Sequence, residues 1–547
     1  MRQRSDHLEP GGTASVGLEE IDQTAAPLEP AQQTIPGPPP SLAGSLVAGV
    51  FSVGGALAVE RAAGFVANLL AARLAGTAVF GAYSISLNTA NNIASYAGAG
   101  IGNTATRFIA DYPEGSRGRQ QVVRTVLLFA TLSAALAALL LWVTAAPLAN
   151  SVLKNPALVA PLKVAAISAA AFVALECCRG VFIGTREFAP FLFLSGLVGI
   201  GSLIAIPAMA RFGATHMIAG QAAAVLLATV VSALLILRRQ GIKNKTTGEK
   251  ADRVSLARVW RFGLVQLGGV VGLNAAGWWT ATLVARGDSS LLQIAFYTVA
   301  TQWRNMCGLL PNMVQQGNFA FFTDHGSAHF GGATRVVSVS AIFSSALGIL
   351  CSGFVIVPIP FILRHFWGQS YAAAELPAAF AVATVIVHLG ISPASSRLTV
   401  ISLRWTAIIN AIWSVVVVVA GTVLIPKGGA TAATATLFGA HALSAVLVLF
   451  ALWRLSALPE GLTKVAALNI VLAVLIGGLA WSRAMHPEHS LLLNSLLLAT
   501  PIVGTMLLVR LGQSIGALPR RIDWVSIARS ILRRLPFKFF RAVSPAA

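Results

Sequence analysis

The feature that most constrains this chain is the recurrence of apolar stretches of about 20 residues, each long enough to cross a hydrocarbon core of about 30 Å as a helix. About fourteen occur, at roughly 46–72, 80–108, 122–147, 158–183, 189–210, 214–237, 260–285, 291–321, 334–359, 374–395, 402–425, 430–453, 465–483 and 490–510. With 56% hydrophobic against 11% charged residues over 547 positions, there are too few charges to coat a water-facing surface. An ordinary soluble enzyme is excluded. The expected fold is an all-α polytopic membrane protein of about fourteen transmembrane helices.

The charge is lopsided, 39 Lys and Arg against 19 Asp and Glu, for a net +20. In a soluble protein that balance suggests nucleic acid; in a membrane protein it is first tested against the positive-inside rule. Alternating the loops from an internal N-terminus puts about 29 of the 39 cations on one side, including Arg179, Arg186, the run from Arg238 to Arg261 and the C-terminal tail. The other side receives about one per loop: Arg73, Lys154, Arg211, Arg286, Arg364, Lys427 and Arg483. The pattern predicts both termini in the cytoplasm and accounts for most of the charge without a nucleic-acid partner.

Residues 1–43 read as a disordered, mildly acidic cytoplasmic tail without a cleavable secretory signal. A basic linker at 238–259 divides the first twelve spans into lobes at 44–237 and 260–455; an extra helix pair follows at 456–511, then a basic amphipathic tail at 512–547. The first hairpin of each lobe matches in register, Gly81-Ala82-Tyr83-Ser84 with Ala295-Phe296-Tyr297-Thr298. Six spans per unit gives copies of the same orientation, as in transporters whose pathway runs between lobes. Chance similarity of two hairpins is the alternative.

Little in the sequence suggests catalysis. Cys177, Cys178, Cys307 and Cys351 all lie in apolar spans without metal-ligand spacing, and there is no phosphate-binding loop, so neither a metal nor a cofactor is expected. The informative residues are ionisable groups deep in spans, where a charge costs about 2.5–3.5 kcal/mol on insertion scales. They are Glu60, Arg61, Glu176, Arg304 and His388. Counting helical rise from the nearest turn, Arg61 and Arg304 both lie about 18–21 Å below the outer face, so two guanidiniums share a level near the midplane. Two planar forks match a pyrophosphate. Local ion pairing is the alternative for each arginine, and for Glu60 and Glu176 the choice is between proton coupling and structural pairing. The amides Asn68, Asn88, Asn92, Gln302 and Asn305, with Gln315, Gln316 and Asn318 further on, suit sugar hydroxyls in a wet cavity or serve as interhelical glue. Pro311 is read as a kink and hinge.

The first hairpin, AARLAGTAVFGAY running on to GAGIGNTATRFIADY, resembles the opening spans of polysaccharide exporters and oligosaccharide-lipid flippases of the multidrug/oligosaccharidyl-lipid/polysaccharide exporter superfamily. CCRGVFIGTREF and HFWGQSYAAAELP echo the same family, and the resemblance covers roughly residues 45–455. It implies an alternating-access carrier, not an enzyme. Such a carrier moves a polyprenyl-pyrophosphate-linked oligosaccharide across the bacterial inner membrane through a cationic cavity, with membrane lipids and a polysaccharide polymerase or ligase as partners. Span one also resembles the lipid II flippase in ERAAGFVANLLAARLAG, although Ala67 and Asn68 stand where that family has its next arginine-acid pair. An ion-coupled multidrug antiporter relying on Glu60 is a further alternative.

Overall fold

The computed structural model describes residues 41–98, 100–114, 116–242, 271–312 and 330–519. The N-terminal tail up to residue 40, most of the basic linker, Gln315, Gln316, Asn318 and the C-terminal amphipathic segment lie outside the described residues. Every regular element among the described residues is helical. In chain order they are α1 (Ser41–Ala75), α2 (Thr77–Gly98), α3 (Ile101–Ala110), α4 (Arg117–Pro147), α5 (Val159–Gly184), α6 (Phe188–Met209), α7 (Ala214–Ile242), α8 (Val271–Arg286), α9 (Leu292–Cys307), α10 (Phe330–Ile356), the single turn α11 (Ile359–Ile362), α12 (Glu375–Ile401), α13 (Leu403–Arg454), α14 (Leu462–Met485) and α15 (Ser490–Ser514). Residues 48–547 form one compact unit.

Ten described helical segments are long and apolar enough to cross a membrane. They correspond to eleven of the predicted stretches, because the 52-residue α13 is two helices joined at Gly429, where the backbone turns to φ 54°. The other three stretches are 80–108, 260–285 and 291–321. The first is broken at Gly100, with φ 64°, into α2 and α3, and α2 carries Asn88, Asn91 and Asn92. The other two are described only as the 16-residue helices α8 and α9. Helix α9 ends at Cys307 and a turn at Gly308 precedes Pro311, so the break expected from the proline falls one residue outside α9. The proline has no N–H to offer the carbonyl four residues back, and its ring crowds that carbonyl.

Packing groups the helices around two long members. Helix α5 packs against α2, α3, α4 and α7, while α12 packs against α9, α10, α13 and α14; α2 joins the groups by packing on both α8 and α9. The approach of α2 to α9 is as close as backbones allow. A Cβ on Gly81 would lie 2.2 Å from the carbonyl oxygen of Leu291, so any side chain there forces the helices apart. Leu291 itself adopts φ 58° at the α8–α9 turn, which Asp288 stabilises by accepting bonds from the Ser290 hydroxyl and the Gln293 amide. Burial pushes the Asp288 carboxyl up, but these bonds outweigh it and hold its pKa below the ordinary carboxylate value.

The added pair α14–α15 packs on α10 and α12, and a buried arginine pins one end of it. Arg483, 5% exposed, donates to Glu375 at 3.0 Å, to Asn494 at 2.8 Å and to the carbonyls of Val357 at 3.2 Å and Ile356 at 3.1 Å. Counted by sequence as an orienting loop cation, it is a buried clamp between the ends of α10, α12, α14 and α15. Arg483→Met leaves the Glu375 charge and two carbonyls unpaired, and should cost about 3–5 kcal/mol in detergent unfolding. The Asp288 turn carries its own pH signature. A lowered folded-state pKa gives stability that is complete above the ordinary carboxylate range and lost as pH falls, so hydrogen-exchange protection at Gln293 should weaken below about pH 4.

Candidate functional site: two adjoining polar cavities

Helices α1, α2, α3, α5, α6 and α7 enclose a cavity of about 670 Å³ whose wall includes Asn274 of α8. Its charged wall is set by contact between α3 and α5. A Cβ on Gly180 would meet the carbonyl oxygen of Gly102 at 2.2 Å, so the two backbones touch just beyond the Gly100 break. That contact places Glu176 and Arg179, three residues apart on one face of α5, at the cavity wall.

Arg179 bridges two carboxylates there. One of its Nη atoms donates to both oxygens of Glu60 on α1 and the other donates to Glu176 at 2.6 Å. Arg179 is 15% exposed and Glu60 18%, whereas Glu176 keeps 54% of its side chain open to the cavity. Arg61, the neighbour of Glu60, also lines this cavity, is exposed, and has no ion pair among the described residues. The described ionisable wall is therefore two carboxylates and two guanidiniums. It is charge-balanced where a cationic cavity was expected: Arg304 does not line it, and Glu60 and Glu176 take up the charge of Arg179, leaving Arg61 as the open cationic head.

A second cavity of about 140 Å³ adjoins it, and Asn68 and Asn91 line both. Its walls come from α1, α2, α8 and α9, and they include the two tyrosines matched in the repeat, Tyr83 and Tyr297. Tyr83 donates to Gln221 of α7 at 2.5 Å. Towards the Ala75 end of α1 this region is closed by aromatic packing. Phe65 meets Trp303 at 5.1 Å and Trp367 at 5.9 Å; Phe80 meets Trp367 and Tyr371 at 6.1 and 6.3 Å; and Tyr371 meets Phe296 at 6.2 Å. Arg73 adds a bond to the His365 carbonyl at 2.7 Å, and Asn155 one to the Ser289 carbonyl at 3.3 Å. With the Gly81–Leu291 contact, these seal that end of the interior.

The predicted residues divide accordingly. Glu60, Arg61 and Glu176 line the larger cavity, Asn68 lines both, and Asn88 and Gln302 line the smaller. Asn92 instead donates to the Asn274 carbonyl at 3.0 Å, acting as interhelical glue. Arg304 and Asn305 line neither cavity. Arg304 lies within electrostatic reach of His388 and His441, whose rings meet at 4.7 Å. Sequence reasoning missed Arg179, Tyr83 as a cavity residue, and the Trp367–Tyr371 pair. The signal for Arg179 was its position three residues after a carboxylate inside a span; Trp367 and Tyr371 stood in the HFWGQSYAAAELP echo.

Removing Arg179 strands the largely buried carboxylate of Glu60. Arg179→Met should destabilise the protein by about 3–5 kcal/mol, and adding Glu60→Gln should recover about 0.5–3 kcal/mol of that as a coupling. A double-mutant cycle in detergent unfolding measures both.

A family model described as "Polysaccharide biosynthesis protein" matches residues 46–316. A search of curated proteins found no match. Among solved structures, the lipid II flippase MurJ in an inward closed conformation aligns over 82% of this chain and 97% of its own, with 12% identity and a TM-score of 0.63. A MATE transporter in complex with MaD3S aligns over 76% and 96%, with 16% identity and a TM-score of 0.49. The matched family region spans every helix that lines the two cavities. Residues 46–316 thus match the polysaccharide biosynthesis family, and the chain, a multi-pass helical membrane protein, shares the fold of MurJ.

Proposed function

We propose that this protein flips a polyprenyl-pyrophosphate-linked oligosaccharide from the cytoplasmic to the periplasmic leaflet of the bacterial inner membrane, for surface polysaccharide assembly. The observation that carries this reading is an amide- and hydroxyl-rich pair of cavities, with the open guanidinium of Arg61 in the larger and an aromatic seal at one end. The diphosphate takes the Arg61 fork, the sugars take the amides, and the prenyl chain stays in lipid. With both termini cytoplasmic, the sealed end carries Arg73 and faces the periplasm, and the cavities belong to the inward-facing half of an alternating-access cycle.

In this scheme α1–α7 and α8–α13 are the two lobes, α14–α15 is an accessory pair, and the released lipid passes to a polymerase or ligase. Opening outward separates Gly81 from Leu291 and parts the aromatic seal. Arg304 and Asn305, outside both cavities here, are assigned to a later stage of passage. Glu176 is the more accessible carboxylate for a driving ion, since Glu60 is held by both its oxygens on Arg179. That commitment of Glu60 disfavours the antiporter alternative.

Arg61→Ala and Arg304→Ala should each abolish surface polysaccharide while the protein remains in the membrane at normal abundance, read by polymer immunoblot and membrane fractionation. Normal polymer in both variants rejects the assignment. Loss of peptidoglycan synthesis on depletion points to lipid II as cargo, and dye sensitivity with intact polymer points to drug export.

A further inference from the structure

We infer that the 140 Å³ cavity is a seat for one uncharged sugar ring, separate from the site of the diphosphate; this rests on the flippase reading above. Three buried polar atoms of its lining residues, the Asn68 Oδ1, the Ser84 Oγ and the Gln302 Oε1, have no hydrogen-bond partner. Around them the amides of Asn88 and Asn91 and the hydroxyls of Thr298 and Thr301 line the same small hollow, a lining that suits a ligand which supplies hydroxyl groups. Two amide oxygens require donors, while the serine accepts or donates, and a sugar's vicinal hydroxyls offer both. Tyr83 and Tyr297 add apolar ring surface for the sugar's carbon skeleton.

Charge separates the two cavities. No Asp, Glu, Lys, Arg or His lines the smaller one, and Arg304 acts on its wall residue Tyr297 from outside it, so a phosphate or a uronate carboxylate moved into it would lose its hydration without a charged partner in contact. The larger cavity carries all four ionisable wall residues, and Arg61 sits there seven residues along α1 from Asn68, about 10 Å of helical rise. Because Asn68 and Asn91 line both, a glycosyl diphosphate can extend from one to the other with its charged end at Arg61 and a neutral ring against the sealed end.

The test uses the full chain in lipid nanodiscs and three probes: undecaprenyl diphosphate, undecaprenyl diphosphate bearing glucose, and the same lipid bearing glucuronic acid. Affinity is measured by thermophoresis. The glucosyl lipid should bind about tenfold more tightly than the bare diphosphate lipid, and the glucuronosyl lipid should gain nothing. Gln302→Met combined with Ser84→Ala should bring glucosyl and bare lipids to equal affinity, whereas Arg61→Ala should weaken both and keep their ratio. The wild-type comparison is decisive even if a variant fails to fold. Equal binding of glucosyl and bare lipids overturns the sugar seat and leaves the flippase reading standing, equal gain from glucuronic acid overturns its neutrality, and binding of none of the probes overturns both readings.

Discussion

A helix in hydrocarbon can show polar side chains only to protein or to a water-filled space, because lipid offers them no partner. That constraint organises this molecule. The apolar stretches are free to face lipid, and their large side chains do lie exposed along α4, α13 and α15. Helices α2, α8 and α9 have no such freedom, and they are turned inward, where α2 meets both of the others. The cavities are the consequence: Asn68, Asn88, Asn91 and Gln302 need somewhere wet, and the helices that carry them enclose it.

The same constraint explains why close contact is made with glycine and aromatic rings. Backbone meets backbone at Gly81–Leu291 and at Gly180–Gly102, and each contact fixes something functional nearby. The first anchors the sealed end of the cavities; the second brings Glu176 and Arg179 to the larger cavity's wall. The rings of Phe65, Phe80, Trp367 and Tyr371 fill the sealed end, where a bond from Arg73 to a carbonyl is the charged contribution. Such a seal parts without breaking an ion pair between described residues, so its opening costs mainly the hydration of aromatic surface.

Much of this was legible beforehand, and the omissions have physical causes. Length and hydropathy give the helical membrane class, and a charge or amide deep in a span marks a non-lipid face, so Arg61, Asn68, Asn88 and Gln302 stand out. Helical rise gave the depth of Arg61 and Arg304 but not the direction in which each side chain points around its helix. Depth alone therefore suggested one shared site, whereas Arg61 opens to the larger cavity and Arg304 lines neither cavity, within electrostatic reach of Tyr297, His388 and His441. Arg179 was absorbed into the orientation signal because it stands near the end of its span. Its pairing with Glu60 joins residues 119 positions apart, a relation no local pattern carries.

The charge balance of the larger cavity has an electrical consequence. Glu60 and Glu176 cancel Arg61 and Arg179, so a swing that carries these four groups together across part of the membrane field displaces no net charge. Voltage then does no work on them, whether it rises or collapses, and in the proposed flipping cycle the empty protein's return is indifferent to it as far as they are concerned. The field acts on cargo instead, at about 2.3 kcal/mol per elementary charge per 100 mV. For the proposed diphosphate-bearing cargo, leaving a negatively polarised interior, that work is favourable, and it would be delivered only on the loaded half of the proposed cycle.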